Sequence, residues 1–202
     1  MKVRDAIPTA ENSTNFNIVS DPQTQAGDTL ANLKAAVQGE TCASANYAAY
    51  SKKAKEEGYD QISRLFAATS AAEQIHIKLE VAEIQKKEPD YVAPSAPDAV
   101  TFTTDIDLIG GAAGEIYETS DMYPTFIKVA QEEGEKGAEM VFTRAKLAEG
   151  VHAELYLDAY NNIDCPDDDS FYLCPACGYI HKGGDFEKCP ICFTPRASFK
   201  EF

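Results

Sequence analysis

The chain has 202 residues, 44% of them hydrophobic, and a formal net charge of −15. That leaves room for one fair-sized domain with a real core plus a small one. The charge excludes a general nucleic-acid binder, because a polyanion would be repelled, and no apolar run approaches the roughly 20 residues that cross a bilayer, so no membrane role is expected. The opening MKVRDAIPTAENSTNF lacks an apolar stretch of export type, which predicts a cytoplasmic protein. Residues 1–27 are polar, carry Pro8, Pro22 and Gly27, and read as a non-helical arm. From Asp28 to Glu57, residues Leu33, Val37, Glu40, Ser44, Tyr47 and Ala54 recur on one helical face, and Gly58 supplies a stop. A second helix is predicted over Tyr59–Lys87, with Ile62, Leu65, Phe66, Thr69, Glu73, His76 and Glu80 on one side, ended by Glu88-Pro89-Asp90. The stretch Pro89–Gly111 has three prolines and a β-leaning VTFTTD, and reads as a long connection. A third helix is predicted over Ala112–Glu132 and a fourth over Glu135–Asn161. The acidic linker 162–170 then leads to a cysteine-rich domain, 171–202.

The helical part, 28–161, contains a repeat. Gly39-Glu40, Tyr47, Glu56-Glu57-Gly58 and Glu73-x-x-His76 return as Gly114-Glu115, Tyr123, Glu132-Glu133-Gly134 and Glu149-x-x-His152, 75 to 76 residues later. Each copy is a helix pair. Two pairs joined by a long crossover give a mainly α, ferritin-like four-helix bundle.

Glu40, Glu73, Glu115 and Glu149 all fall on apolar stripes. Four carboxylates converging in a core need cations, since burying even one unpaired costs several kcal/mol, roughly. Residues at i and i+3 share a helix face, so Glu73 with His76 and Glu149 with His152 can each grip a metal. One Glu from each of two helices plus Glu-x-x-His from each of the other two is the general pattern of di-iron carboxylate bundles. A single Glu-x-x-His is usually a solvated helix face. Here two of only three histidines fall in such motifs, at equivalent points of the repeat. Oxygen and imidazole donors without cysteine suit iron or manganese. Glu118, one turn after Glu115, adds another carboxylate. Tyr47 and Tyr123, two turns beyond Glu40 and Glu115, have two compatible roles: core packing and a hydrogen bond to a ligating glutamate. Pro124, inside the third helix, predicts a bend.

The tail reads Cys174-Pro-Ala-Cys177-Gly-Tyr-Ile and, after eleven intervening residues, Cys189-Pro-Ile-Cys192. About thirty residues are too few for an unaided core, so a metal must organise them. Four thiolates make a tetrahedral site for iron or zinc. His181 is expected to be exposed and not a ligand, Cys165 a free surface thiol, and Cys42 a packing residue.

Together GETCASANY, AAEQIH, GEIYETSDMYPTF, AEGVH and CPACGYI with CPIC resemble the rubrerythrin family over about residues 28–202. The resemblance implies a ferritin-like bundle with a rubredoxin-like domain. It implies two-electron reduction of hydrogen peroxide to water, with electrons from NAD(P)H through a partner reductase and often rubredoxin. Carried over by motif, Glu73 and Glu149 bridge two irons, Glu40 is terminal on one, and Glu115 with His152 on the other. Glu118 and His76 exchange on the first iron with redox state. A third iron (or zinc) sits at Cys174, Cys177, Cys189 and Cys192. The alternatives are a ferroxidase or iron-handling protein, and a non-enzymatic electron carrier. The tail metal is expected beyond the end of its own bundle, which predicts a head-to-tail homodimer.

Overall fold

The computed structural model describes residues 16–202, so most of the predicted arm lies outside the described residues. Helix α1 spans Thr29–Glu56 and α2 spans Asp60–Ile84. The Asp28 carboxylate caps α1 by accepting from Ala31 N at 2.7 Å, and Lys53 and Lys55 complement the negative end of its dipole. The second pair comprises α3 (Thr104–Tyr117) and α4 (Tyr123–Glu132), joined by a five-residue π-helical segment, Glu118–Met122, and then α5 (Lys136–Asn161). Among the described residues no helix is long and apolar enough to cross a membrane.

The repeated Glu-Glu-Gly has a structural meaning. Gly58 and Gly134 end α1 and α4 with φ of +89° and +73°, a backbone region that favours glycine. The glutamate before each glycine reaches to the other pair. Glu57 accepts from Thr104 N and Oγ1 at 2.9 and 2.7 Å at the start of α3, and Glu133 accepts from Thr29 N at 3.0 Å at the start of α1. Each pair thus caps the first helix of its partner pair.

Two predicted features are corrected. The third helix begins at Thr104, eight residues before Ala112, and VTFTTD forms no strand. Its two threonines and aspartate are a helix start instead: Glu57 caps Thr104, and Asp107 accepts from Phe102 N at 2.9 Å. Gly111, read as connection, lies in the helix because a Cβ there would come 2.9 Å from the Tyr156 ring. The bend predicted at Pro124 is the π segment just before it. Proline has no N–H for the Ser120 carbonyl. That carbonyl accepts instead from Val19 N at 3.0 Å. The described part of the arm is anchored alongside, with Gln23 N and Thr24 N donating to the Asp121 carboxylate at 2.8 and 3.1 Å, and Phe16 buried.

The tail forms a three-stranded antiparallel sheet, β1 (Phe171–Leu173), β2 (Ile180–Lys182) and β3 (Lys200–Glu201), in the order β2-β1-β3. Its position is a further correction. The tail does not sit beyond the bundle's end but folds back onto α2 and α5, where Phe171, Leu173 and Ile180 share a core cluster with Leu65, Phe66 and Tyr156. The acidic linker reverses the chain there, since Lys182 bridges Asp158 of α5 and Asp167 of the linker at 2.8 and 2.7 Å.

Candidate metal centres

Six buried side chains meet in the middle of the bundle. Glu40 comes from α1, Glu73 and His76 from α2, Glu115 from α3, and Glu149 and His152 from α5; each is at most 1% exposed. Their donor atoms form two groups, Glu40, Glu73, His76 and Glu149, and Glu73, Glu115, Glu149 and His152, with the atoms of each within 4.8 Å of one another. Glu73 and Glu149 belong to both, as two metals sharing bridging carboxylates require.

The imidazoles are pre-set as ligands. His76 Nε2 lies 3.1 Å from the Cys177 carbonyl, and His152 Nε2 lies 2.9 Å from the Gly178 carbonyl. A carbonyl only accepts, so each Nε2 carries the hydrogen and each Nδ1 keeps its lone pair. Both Nδ1 atoms face the carboxylates: His76 Nδ1 is 2.7 Å from Glu149 Oε1 and 3.1 Å from Glu73 Oε2, and His152 Nδ1 is 2.7 Å from Glu149 Oε2. These approaches lack hydrogen-bond geometry. Both Nδ1 atoms, Glu40 Oε2 and both oxygens of Glu73, Glu115 and Glu149 have no hydrogen-bond partner although they are out of solvent. Burial, followed by the charge of Glu149, drives Glu73 up to about 8 and Glu115 well above the usual carboxylate range. Burial also opposes the ionised form of Glu149, but the two imidazoles hold it down to about 2. So many orphaned donors crowded around one point fit two divalent cations.

Of the other predicted residues, Glu118 joins neither group; its Oε1 lies beside Gly39 of α1, 3.9 Å from where a Cβ would stand. The Tyr47 hydroxyl lies beside Glu115 and opposes its upward shift. The Tyr123 hydroxyl meets Glu40 Oε1 and, at 3.0 Å, Glu80 Oε1. Glu80 was visible on the buried face of the second helix but had no role; its place one turn after His76 was the available signal.

In the tail, the sulfurs of Cys174, Cys177, Cys189 and Cys192 lie within 4.8 Å of one another, with Cys174–Cys192 and Cys177–Cys189 both at 3.5 Å. That is far longer than a disulfide bond and close to the ~3.8 Å between sulfurs each ~2.3 Å from a tetrahedral metal. Cys42 and Cys165 stand apart. His181, expected to be exposed, is half-buried: it pairs with the Tyr179 hydroxyl at 2.8 Å and packs on Phe186, so it is no ligand.

A bundle with two carboxylate–histidine groups sharing bridging residues, beside a four-thiolate knuckle, defines a di-iron protein with an attached rubredoxin-like domain. The rubrerythrin family model matches residues 31–160, and the chain belongs to that family, whose members are di-iron peroxide reductases. The chain is 61% identical to nigerythrin of Nitratidesulfovibrio vulgaris over 202 residues, all of both chains. It is 34% identical to rubrerythrin of the same organism over 175 residues, 84% of this chain and 91% of that one. Solved structures of nigerythrin in a partially reduced state and in a fully reduced, all-ferrous state match over all of both chains, at 62% identity, with TM-scores of 0.90 and 0.89. The cofactors are therefore a di-iron centre and a single metal at the four cysteines.

Proposed function

We propose that the protein reduces hydrogen peroxide to water in the bundle, with electrons entering through an iron at Cys174, Cys177, Cys189 and Cys192. In this reading Glu73 and Glu149 bridge the two irons, Glu40 with His76 and Glu115 with His152 complete one site each, and Glu118 exchanges with His76. When bound, two ferrous ions supply two electrons and polarise the peroxide oxygens. The protein's own residues supply the rest. The carboxylates balance the charge, the Nε2–H hydrogen bonds fix both imidazoles, and the buried site excludes bulk water. The gap between Gly39 and Glu118 leaves that carboxylate room to move.

The observation that carries the proposal is that both site histidines are hydrogen-bonded to the backbone of the Cys177-Gly178 knuckle. A structural zinc site needs no such contact, and iron storage needs no electron inlet. The donor is a reductase using NAD(P)H, or a rubredoxin, and the location is cytoplasmic. The chain divides into an arm (1–27), a di-iron bundle (28–161), a linker (162–170) and a rubredoxin-like domain (171–202). The head-to-tail homodimer stays in the proposal as an exchange of tails, each docking on the other subunit's bundle by these same contacts. Mixing a variant lacking the tail cysteines with one lacking Glu73 and Glu149 tests this: exchange restores part of the NADH-linked activity, and no recovery in verified heterodimers rules it out. For the activity itself, stopped-flow mixing of reduced protein with each oxidant is expected to show hydrogen peroxide reacting much faster than dioxygen. Equal or reversed preference would favour a ferroxidase.

A further inference from the structure

Glu80 is a fully buried carboxyl that belongs to neither metal group. Its Oε1 lies 3.0 Å from the Tyr123 hydroxyl, and its Oε2 has neither a partner nor solvent. The same hydroxyl meets Glu40 Oε1. A phenol carries one hydrogen, and two ionised carboxylates are acceptors only. Two carboxylates therefore cannot both be served by Tyr123. One more hydrogen satisfies all three groups: on Glu80, whose O–H donates to the Tyr123 oxygen while Tyr123 donates to Glu40.

The surroundings favour Glu80 over Glu40 as the holder of that hydrogen. Glu40 lies in a cation-binding group, 3.7 Å from His76 Nδ1. Glu80 is faced by Glu40 of α1, His76 of its own helix, Tyr123 of α4 and Glu149 of α5, with Tyr91 of the connection nearby. None of these is a lysine or arginine. At the equivalent point of the other half stands Tyr156, which hydrogen-bonds Thr69 and has no acid to offer. The chain of three groups exists only on the Glu40 side.

We propose that Glu80 is a proton store for peroxide reduction, protonated at rest and linked to the site through Tyr123 and Glu40. The proposal rests on the reading of the site given above. The reduction breaks the O–O bond and consumes two electrons and two protons to give two waters, the electrons coming from the reduced centre. One proton is the Glu80 hydrogen: it moves to the Tyr123 oxygen as the Tyr123 hydrogen moves to Glu40 and on to the departing oxygen. The second comes from solvent, which also reprotonates Glu80 between turnovers. Glu80 acts through Tyr123, so it positions and supplies the proton without touching substrate.

The test is infrared difference spectroscopy of the iron-loaded protein at pH 7, wild type against Glu80→Gln, with iron analysis and stopped-flow oxidation by hydrogen peroxide over a pH series. The wild type should show a carboxylic-acid C=O band that Glu80→Gln lacks, while both hold two bundle irons. Oxidation of reduced Glu80→Gln should slow about tenfold or more and lose the pH dependence of the wild type, and Glu80→Asp should keep an acid band and recover part of the rate. The proposal is overturned if the acid band is missing from wild type, if Glu80→Gln reacts at the wild-type rate across the pH series, or if it loses a bundle iron, which would make Glu80 a ligand. Should Glu80→Gln fail to fold, Tyr123→Phe decides: the acid band must shift as its hydrogen-bond partner is removed, and an unshifted band contradicts the chain. The infrared arm needs no peroxide, so its failure is distinct from failure of the peroxide reading.

Discussion

The two helix pairs are repeats of one plan that differ where the chemistry needs them to differ. Both supply a glutamate, a Glu-x-x-His and a tyrosine, and each caps the other's first helix through Glu57 and Glu133. Yet the first pair runs as an unbroken α1 and carries Glu80, whereas the second is interrupted by the π segment that opens with Glu118 and has Tyr156 where Glu80 would be. Short π segments inside helices recur at functional sites. The near-symmetric ligand set holds two metals, and the asymmetric surroundings, with Glu80 and Glu118 both on the Glu40 side, make those metals inequivalent.

The largest test of the shared plan is to remove the residues common to both groups. Glu73→Ala with Glu149→Ala should abolish iron binding in the bundle while the tail keeps one metal, as read by metal analysis. Retention of both bundle irons would reject the ligand assignment. A smaller effect sharpens the difference between halves. Gly178 has φ +77°, and a Cβ there would stand 2.2 Å from His76 Nε2, whereas His152 is held by the Gly178 carbonyl. Gly178→Ala should therefore disturb the His76 side first, and the strained backbone alone costs about 1–2 kcal/mol. The expected outcome is slower NADH-linked turnover with peroxide oxidation of pre-reduced protein largely kept; equal loss of both would place the damage elsewhere.

The smallest effect concerns the caps. Glu57 makes two hydrogen bonds to Thr104 and Glu133 one to Thr29. Lys53 and these Thr104 donors draw Glu57 down to about 2. A carboxylate lowered on folding stabilises above its unfolded pKa of about 4.3, and the contribution disappears as pH falls toward 2. Glu57→Gln should cost about 1 kcal/mol at pH 7, more than Glu133→Gln, and the Glu57→Gln difference should vanish in denaturant melts near pH 2. A difference that persists at low pH would show that the cap's charge is not responsible.

Much of this was legible in the sequence because the repeat marks equivalent positions. Glu40 and Glu115, and the two Glu-x-x-His pairs, stand in register, and the four cysteines have metal-knuckle spacing. What was hidden depends on contacts between distant residues. The start of α3 was obscured by β-branched residues and by Gly110-Gly111, since nothing local announces that Glu57 caps Thr104 or that Tyr156 leaves no room for a Cβ at Gly111. Glu80 lay on the predicted face, but its partner Tyr123 is 43 residues away. Docking of the tail rests on His76 meeting Cys177, 101 residues apart, and counting residues along α5 and the linker missed the chain reversal held by Lys182.

The central claim is that the tail metal exchanges electrons with the bundle. The direct measurement follows the visible absorbance of an all-ferrous tail site after adding hydrogen peroxide, in wild type and in the Glu73→Ala, Glu149→Ala variant. In the wild type the tail iron should oxidise promptly after the bundle, and in the variant, which lacks the bundle irons, it should stay reduced far longer. Equal rates of tail oxidation in the two proteins would contradict the account.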